Sequence, residues 1–203
     1  MAHIGFVPPG LQELLPVSQF YIHQTWNGMF QGYCTYNLSG PNGQLVYQAT
    51  EDRECCGPRL SVRVQNIQGY NVLNLYIPAN FCSWETTLQV SDSSGQILGY
   101  VDQNWTAFSS SFDILNPHHE ICLKVKGPGW GEGFMSDQVH QVLSADKSFS
   151  VGQITRVWRG LLCRDDKFVL QFPPDLDVSM KALLISCTLL IDLLQHERNR
   201  KSN

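Results

Sequence analysis

The sequence predicts a mainly β protein, an antiparallel sandwich or barrel followed by one C-terminal helix. The chain has 203 residues, of which 43% are apolar and 16% charged, so it can form one domain with a sizeable core. Short β-rich segments alternate with turn residues roughly ten times between residues 20 and 172. The pattern changes at Pro173 and Pro174, after which a long apolar segment begins.

The predicted strands are short runs of β-branched, aromatic and aliphatic residues, and several alternate strictly between apolar and polar positions. Glycine and asparagine in the intervening segments suit hairpin turns, because these residues adopt positive φ readily. Regular strands with short returns are typical of an antiparallel sandwich or barrel. The clearest strand segments are 44–47, 60–64, 72–77, 87–90, 97–101, 121–125 and 168–172.

One helix is predicted over residues 178–194. This segment contains nine Val, Leu or Ile residues and neither Gly nor Pro. In a helix its polar residues Lys181, Thr188 and Asp192 fall on one narrow stripe, and the other faces are apolar. Most of the helix surface must therefore be removed from water.

Two environments could bury such a helix, a bilayer or the interior of a closed sheet. The uninterrupted run between Lys181 and Asp192 is ten residues, about 15 Å of helix, whereas the hydrocarbon core of a bilayer is about 30 Å thick. A barrel interior needs the same all-round apolarity and tolerates a polar stripe near its mouth. A barrel-core helix is therefore favoured over a membrane helix.

Charge and cysteine content argue against several classes of protein. Fourteen basic and eighteen acidic residues give a net charge of -4, so sequence-specific nucleic-acid binding is not expected. Seven cysteines without a C-x-x-C pair indicate neither a zinc site nor a disulfide framework. The first fifteen residues lack the features of a secretory signal, which favours a cytosolic or membrane-associated protein.

The sequence carries no pattern typical of an enzyme. No G-x-S-x-G or H-E-x-x-H motif is present. His118 and His119 are adjacent, so in a strand they would point to opposite faces, and a loop is the simpler interpretation. The glycines of 127–133 are not followed by the Lys-Ser/Thr pair of a phosphate-binding loop.

Two other groups of residues suggest ligands or modifications. Asp165, Asp166, Asp175 and Asp177 lie within thirteen residues and could supply oxygen ligands to Ca²⁺, but their spacing alone favours a helix cap and a solvated turn. Cysteines near a membrane could be S-acylated, and the candidates are Cys55, Cys56 and Cys82, although burial is the commoner fate of a free thiol.

Four sequence strings resemble the phospholipid scramblase family, in that family's order along the chain. The most specific is Gln-Phe-Pro-Pro-Asp-Leu-Asp-Val-Ser-Met-Lys-Ala at 171–182. The others are Pro-Pro-Gly-Leu at 8–11, Cys-Cys-Gly-Pro at 55–58, and Gly-Tyr-Val at 99–101 followed by Gln103 and Trp105. The resemblance implies a single scramblase-type domain over 1–203 with a tubby-like fold, a closed antiparallel barrel around a C-terminal hydrophobic helix.

The resemblance also implies a function. It is the ATP-independent, Ca²⁺-stimulated, bidirectional movement of phospholipids between membrane leaflets, without covalent catalysis, at the cytoplasmic face of a membrane and most simply the plasma membrane. Membrane phospholipids would be the partners. The alternative is a tubby-like module that binds membrane lipid or protein without translocating lipid.

The calcium segment that the resemblance implies runs over 164–175. Its side-chain ligands would be Asp166 and Asp175, and its backbone ligands would lie at Phe168, Leu170 and Phe172. Arg164 stands where the family usually has an acidic residue. The family's acylated cysteine cluster would fall near 77–85, where this chain has only Cys82.

Overall fold

The computed structural model describes residues 7–26, 34–52, 60–78, 86–105, 110–129, 136–160 and 166–201. A short 3-10 helix, Gln12–Leu14, precedes twelve strands and one long helix. The strands are β1 (Gln19–Trp26), β2 (Cys34–Ser39), β3 (Leu45–Asp52), β4 (Leu60–Asn66), β5 (Asn71–Ile77), β6 (Thr86–Asp92), β7 (Ile97–Trp105), β8 (Ser110–Leu115), β9 (Ile121–Lys126), β10 (Gln138–Ser144), β11 (Ser150–Val157) and β12 (Lys167–Gln171). The helix is α1 (Val178–Lys201).

The twelve strands form one closed antiparallel barrel. Each strand pairs with its neighbours in sequence, and β12 returns to pair with β1, with Phe20 opposite Leu170 and Ile22 opposite Phe168. Closure leaves no unpaired strand edge. The prediction of a closed barrel around a C-terminal helix is confirmed, and the sandwich alternative is wrong.

The barrel has two distinct ends. At the upper end β12 finishes and α1 begins, and the turns β2–β3, β4–β5, β6–β7, β8–β9 and β10–β11 also lie there. At the lower end α1 finishes, beside the start of β2 and the start of β12. Side chains in the upper turns stabilise the turn conformation by accepting hydrogen bonds from backbone N–H groups. In the β4–β5 turn, for example, Asn66 Oδ1 accepts hydrogen bonds from the amides of Gln68 and Tyr70.

The helix α1 begins where Asp177 caps it. The Asp177 carboxylate accepts hydrogen bonds from the amides of Ser179 and Met180, which satisfies two donors of the first turn. The proline pair of 173–174 ends the strand and turns the chain back into the barrel. The helix continues past the predicted end at Leu194 to Lys201.

The barrel interior is filled by α1. The segment Val178–Gln195 is long and apolar enough to cross a membrane, the one such helix among the described residues, and 83% of it is buried inside the barrel. Inward-facing residues of the strands surround it, in agreement with the alternating burial of strands such as β6 and β4. Gly99 on β7 permits the close approach of the helix, because a Cβ there would overlap Leu183 and the carbonyl of Leu115.

Candidate functional site

The first notable group of the site is the ammonium of Lys181, at the upper end of α1. Lys181 is fully buried, and the ring of Phe172 lies 5.4 Å from its Nζ. Burial lowers the pKa of Lys181, and the carboxylates of Asp175 and Asp177 oppose that shift. The ammonium has three N–H donors and lies within hydrogen-bond distance of four backbone carbonyls, so one donor is shared; the carbonyls are those of Leu14 (2.9 Å), Leu15 (3.0 Å), Val17 (2.9 Å) and Pro174 (2.7 Å).

These carbonyls show what Lys181 does for the fold. Three belong to the N-terminal segment that covers the upper end of the barrel, and the fourth belongs to the turn before α1. One buried cation therefore joins the N-terminal segment to the start of α1, two parts of the chain that are far apart in sequence. A buried charge is tolerated only when it is fully hydrogen-bonded, and this one is.

The second group is the carboxyl of Asp192, near the lower end. Asp192 is fully buried, and its Oδ2 accepts a hydrogen bond of 2.7 Å from the hydroxyl of Tyr36 on β2. The carboxyl of Asp192 also lies beside that of Asp166. Asp166 in turn accepts hydrogen bonds from Arg156 on β11, at 2.8 to 3.0 Å. The helix is thus tied to both sides of the seam that closes the barrel.

The proton balance of this network follows from its burial. Burial, together with the adjacent Asp166, raises the pKa of Asp192 to about 8, although Tyr36 and Arg156 act in the opposite direction. A protonated Asp192 can donate to Asp166 and accept from Tyr36 at the same time. Burial and the same carboxyl raise the pKa of Tyr36 well above its usual value, so its hydroxyl keeps its proton.

A buried histidine lies beside this network. His140 on β10 is 1% exposed, and burial together with the nearby charge of Arg156 lowers its pKa to about 4. It is therefore neutral at pH 7, and Arg156 is the cation that balances Asp166.

The residues of the predicted calcium segment lie along β12 and do not converge. Asp166 precedes the strand at the lower end, and the exposed Asp175 follows it at the upper end. Phe172 lies six residue steps beyond Asp166 along this extended segment, which corresponds to about 20 Å. In this fold the two carboxylates therefore cannot bind one Ca²⁺ ion.

The backbone positions of that segment are also engaged. Phe168, Leu170 and Phe172 point into the core, and β12 pairs on both sides, with β1 and β11. Among the described ranges, no group of three or more His, Cys, Asp or Glu side chains is placed to hold a metal ion. In this conformation the residues of the segment are not arranged to bind a Ca²⁺ ion. Arg164 and Asp165 lie outside the described residues.

The other predicted site residues have different positions. Thr188, like Lys181 and Asp192, is fully buried, and its hydroxyl donates to the carbonyl of Leu184 within the helix. The polar stripe of α1 is therefore buried along its whole length. The candidate acylation sites Cys55, Cys56 and Cys82 lie outside the described residues.

Tyr36 and Arg156 belong to the site although no sequence motif marks them. Tyr36 is a fully buried tyrosine on an inward position of β2, and a buried phenol needs a hydrogen-bond partner. That requirement is visible in the sequence only once the facing residue is known. Arg156 is placed by the pairing of β11 with β12, which brings it opposite Phe168 and within reach of Asp166.

Comparisons with known proteins agree with the family resemblance of the sequence. Residues 2–198 match the family model described as Scramblase. The chain is 34% identical to phospholipid scramblase 2 of Bos taurus over 95% of its length and 73% of that protein. It is 34% identical to phospholipid scramblase 1 of Homo sapiens over 94% of its length and 66% of that protein. The chain thus spans about two thirds to three quarters of these relatives.

A solved structure shares the fold. It is the X-ray structure of a protein from Arabidopsis thaliana, with a TM-score of 0.55 and 17% identity, covering 93% of this chain and 99% of that one. At this identity the match shows the fold alone, the tubby-like barrel.

Replacement of Lys181 by Met is expected to lower the free energy of unfolding by about 3 kcal/mol, because it removes the hydrogen bonds of a buried cation that join the N-terminal segment to the start of α1. Urea unfolding of the purified chain measures the change. Lys124→Met is the control, since Lys124 makes one ion pair with Asp113, at 2.8 Å on the outer wall, and its loss should cost under about 1 kcal/mol. Equal losses for the two variants would contradict the role given to Lys181.

Replacement of Asp192 by Asn is expected to change how stability depends on pH. The native pKa of Asp192, about 8, exceeds the ordinary value of 3.8, so the native state holds this proton more tightly than the unfolded state. Its contribution to stability is complete below about pH 4 and is lost as the pH rises through about 8. Asparagine keeps the neutral hydrogen-bonding pattern at every pH.

Urea unfolding at several pH values between 5 and 9 therefore separates the two proteins. Asp192→Asn should gain stability relative to wild type as the pH rises, by at least about 1 kcal/mol. Asp113→Asn is the control, because Asp113 is an ion-paired carboxylate on the outer wall. Parallel pH profiles for wild type and Asp192→Asn would show that Asp192 is ionised in the native protein.

Proposed function

Because the chain belongs to the Scramblase family, we propose that it is a phospholipid scramblase, which moves phospholipids between membrane leaflets in both directions without ATP. The observation that carries the proposal is the family match over residues 2–198, together with relatives named phospholipid scramblases. No covalent step is part of the proposal.

The filled barrel limits how lipid could move. Lys181, Thr188 and Asp192 are all fully buried and hydrogen-bonded, so the polar stripe of α1 cannot receive headgroups while the helix stays in place. Removal of the helix would break the hydrogen bonds of Lys181 and of Asp192, and it would expose the apolar lining of the barrel. We therefore place lipid movement at the outer surface of the protein, with the barrel acting as a rigid body against the membrane.

The proposal includes membrane association, at the cytoplasmic face and most simply at the plasma membrane. Ca²⁺ stimulation remains a prediction from the family resemblance, because the calcium segment does not fit the ion in this fold. No step of the proposed function depends on the ion.

A second candidate function is a membrane-lipid or protein-binding module that does not translocate lipid. The engagement of α1 inside the barrel favours it, because a membrane-spanning element is otherwise the simplest device for lipid transfer. The two functions differ in one observable, the transfer of lipid between leaflets.

The experiment is dithionite quenching of fluorescent phospholipid in liposomes that carry the purified chain. A scramblase delivers inner-leaflet lipid to the quencher, so quenching should continue past the outer-leaflet plateau without ATP. Liposomes without protein, and liposomes with an unrelated barrel protein, are the controls. A plateau unchanged with and without Ca²⁺ would refute translocation and leave the binding module.

The same assay tests the calcium prediction. If Ca²⁺ acts through the predicted segment, Asp175→Asn should abolish the Ca²⁺-dependent part of the rate, and Asp146→Asn, an exposed carboxylate at the same end, should not. A Ca²⁺ response that survives Asp175→Asn would contradict that segment as the calcium site.

A further inference from the structure

The upper end of the barrel carries an apolar rim of six exposed side chains. Ile67 and Tyr70 in the β4–β5 turn are the clearest, at 60% and 72% exposed. The others come from the N-terminal segment and from three further strand ends of the same end. The rim consists of Leu15, Leu45, Ile67, Tyr70, Ile121 and Phe149.

These side chains are displayed by a rigid scaffold. In the β4–β5 turn, Asn66 accepts two backbone N–H groups through its side chain, and its own amide donates to the carbonyl of Tyr70. The turn therefore fixes Ile67 and Tyr70 in positions where their side chains are exposed to solvent. The conformation of the turn does not itself require large apolar residues at these positions. Exposed apolar side chains grouped at one end of a molecule indicate a surface that meets protein or membrane.

A cavity of about 420 Å³ opens within this rim. It lies between the N-terminal segment and the turns β2–β3 and β4–β5, and Leu45 and Ile67 belong both to its lining and to the rim. Its polar lining includes the amide side chains of Gln12, Gln44 and Asn66. Among its described lining residues, Glu13 alone is charged. A cavity of this size accommodates a small polar group.

The charge of the upper end selects among membrane surfaces. Among the described residues, this end carries one exposed ammonium, that of Lys147, and five exposed carboxylates, those of Glu13, Glu120, Asp146, Asp175 and Asp177. Such a surface repels anionic headgroups and attracts ammonium groups. A primary ammonium can also donate hydrogen bonds to the Glu13 carboxylate and to amide oxygens, which a quaternary ammonium cannot.

We propose that the upper end docks on membranes that contain phosphatidylethanolamine, with the apolar rim between the headgroups and Glu13 paired to a headgroup ammonium. This inference rests on the proposed function and adds to it a docking face and a preferred headgroup. It orients the barrel with the start of α1 toward the bilayer and the Asp192 network away from it.

The test is flotation of the full chain with vesicles, without Ca²⁺. Wild type should bind vesicles of phosphatidylcholine and phosphatidylethanolamine more tightly than vesicles of phosphatidylcholine alone. The double variant Ile67→Asp/Tyr70→Asp should lose at least tenfold in binding. Tyr76→Asp is the matched control, because Tyr76 is 42% exposed on the outer wall of β5, away from the rim, and it should bind like wild type.

Glu13→Gln tests the headgroup. It should reduce binding to the phosphatidylethanolamine vesicles to the level seen with phosphatidylcholine alone and leave the latter unchanged. Circular dichroism and urea unfolding establish that each variant is folded. Wild-type binding by the double variant, an equal loss for Tyr76→Asp, or an unchanged headgroup preference for Glu13→Gln would each overturn the proposal.

The docking proposal and the proposed function can fail separately. A wild type that binds through the rim and does not scramble retains the docking face and refutes translocation. A folded double variant that scrambles at the wild-type rate overturns the docking face and leaves translocation intact.

Discussion

The burial of α1 inside the closed barrel is the constraint on which the rest of the structure depends. A helix that is apolar on nearly every side has to leave water completely, and twelve strands provide an interior in which it can do so. Each large aliphatic side chain removed from water contributes roughly 1.5–3 kcal/mol, so the helix is a major part of the core. Without the helix, the barrel would be hollow and lined with apolar side chains.

Lys181 and Asp192 are the two charged residues of the apolar segment Val178–Gln195, and they fix the position of the buried helix. Lys181 can be buried only where several carbonyls meet, and Asp192 only where a hydroxyl, a second carboxyl and an arginine meet. These partners exist at opposite ends of the barrel, so the helix has one register along its axis. The N-terminal segment and the β12–β1 seam are held by the same contacts. Function at a membrane must therefore start from a closed barrel whose interior is occupied.

The fold could be read from the sequence to a large extent, because strand alternation and the all-round apolarity of 178–194 are local patterns. The choice between sandwich and barrel needed the family resemblance, since short strands and turns serve both. Lys181 and Asp192 could be recognised as a buried stripe. Their partners could not, because Tyr36 and Arg156 are distant in sequence and carry no motif.

The calcium segment shows the opposite case. Asp166 and Asp175 are close in sequence, but an extended strand between them places them at opposite ends of the barrel. Asp166 is engaged with Arg156 and Asp192, and Asp175 is exposed. The apolar rim was equally hidden, because single exposed apolar residues in separate turns form a surface only after the barrel closes. Sequence proximity was thus a poor guide to the site, and strand register was the deciding information.

We expect α1 to stay inside the barrel when the protein is bound to a membrane, and the reactivity of the native thiol of Cys187 reports whether it does. Cys187 lies on α1 and is fully buried, whereas Cys122 on β9 is half-buried. The chain would be treated with a membrane-permeant maleimide on liposomes under scrambling conditions, and each cysteine followed by peptide mass spectrometry. We expect Cys122 to react while Cys187 stays unmodified, with and without vesicles. Reaction of Cys187 at the rate of Cys122 only when vesicles are present would show that the helix leaves the barrel, and would contradict the account.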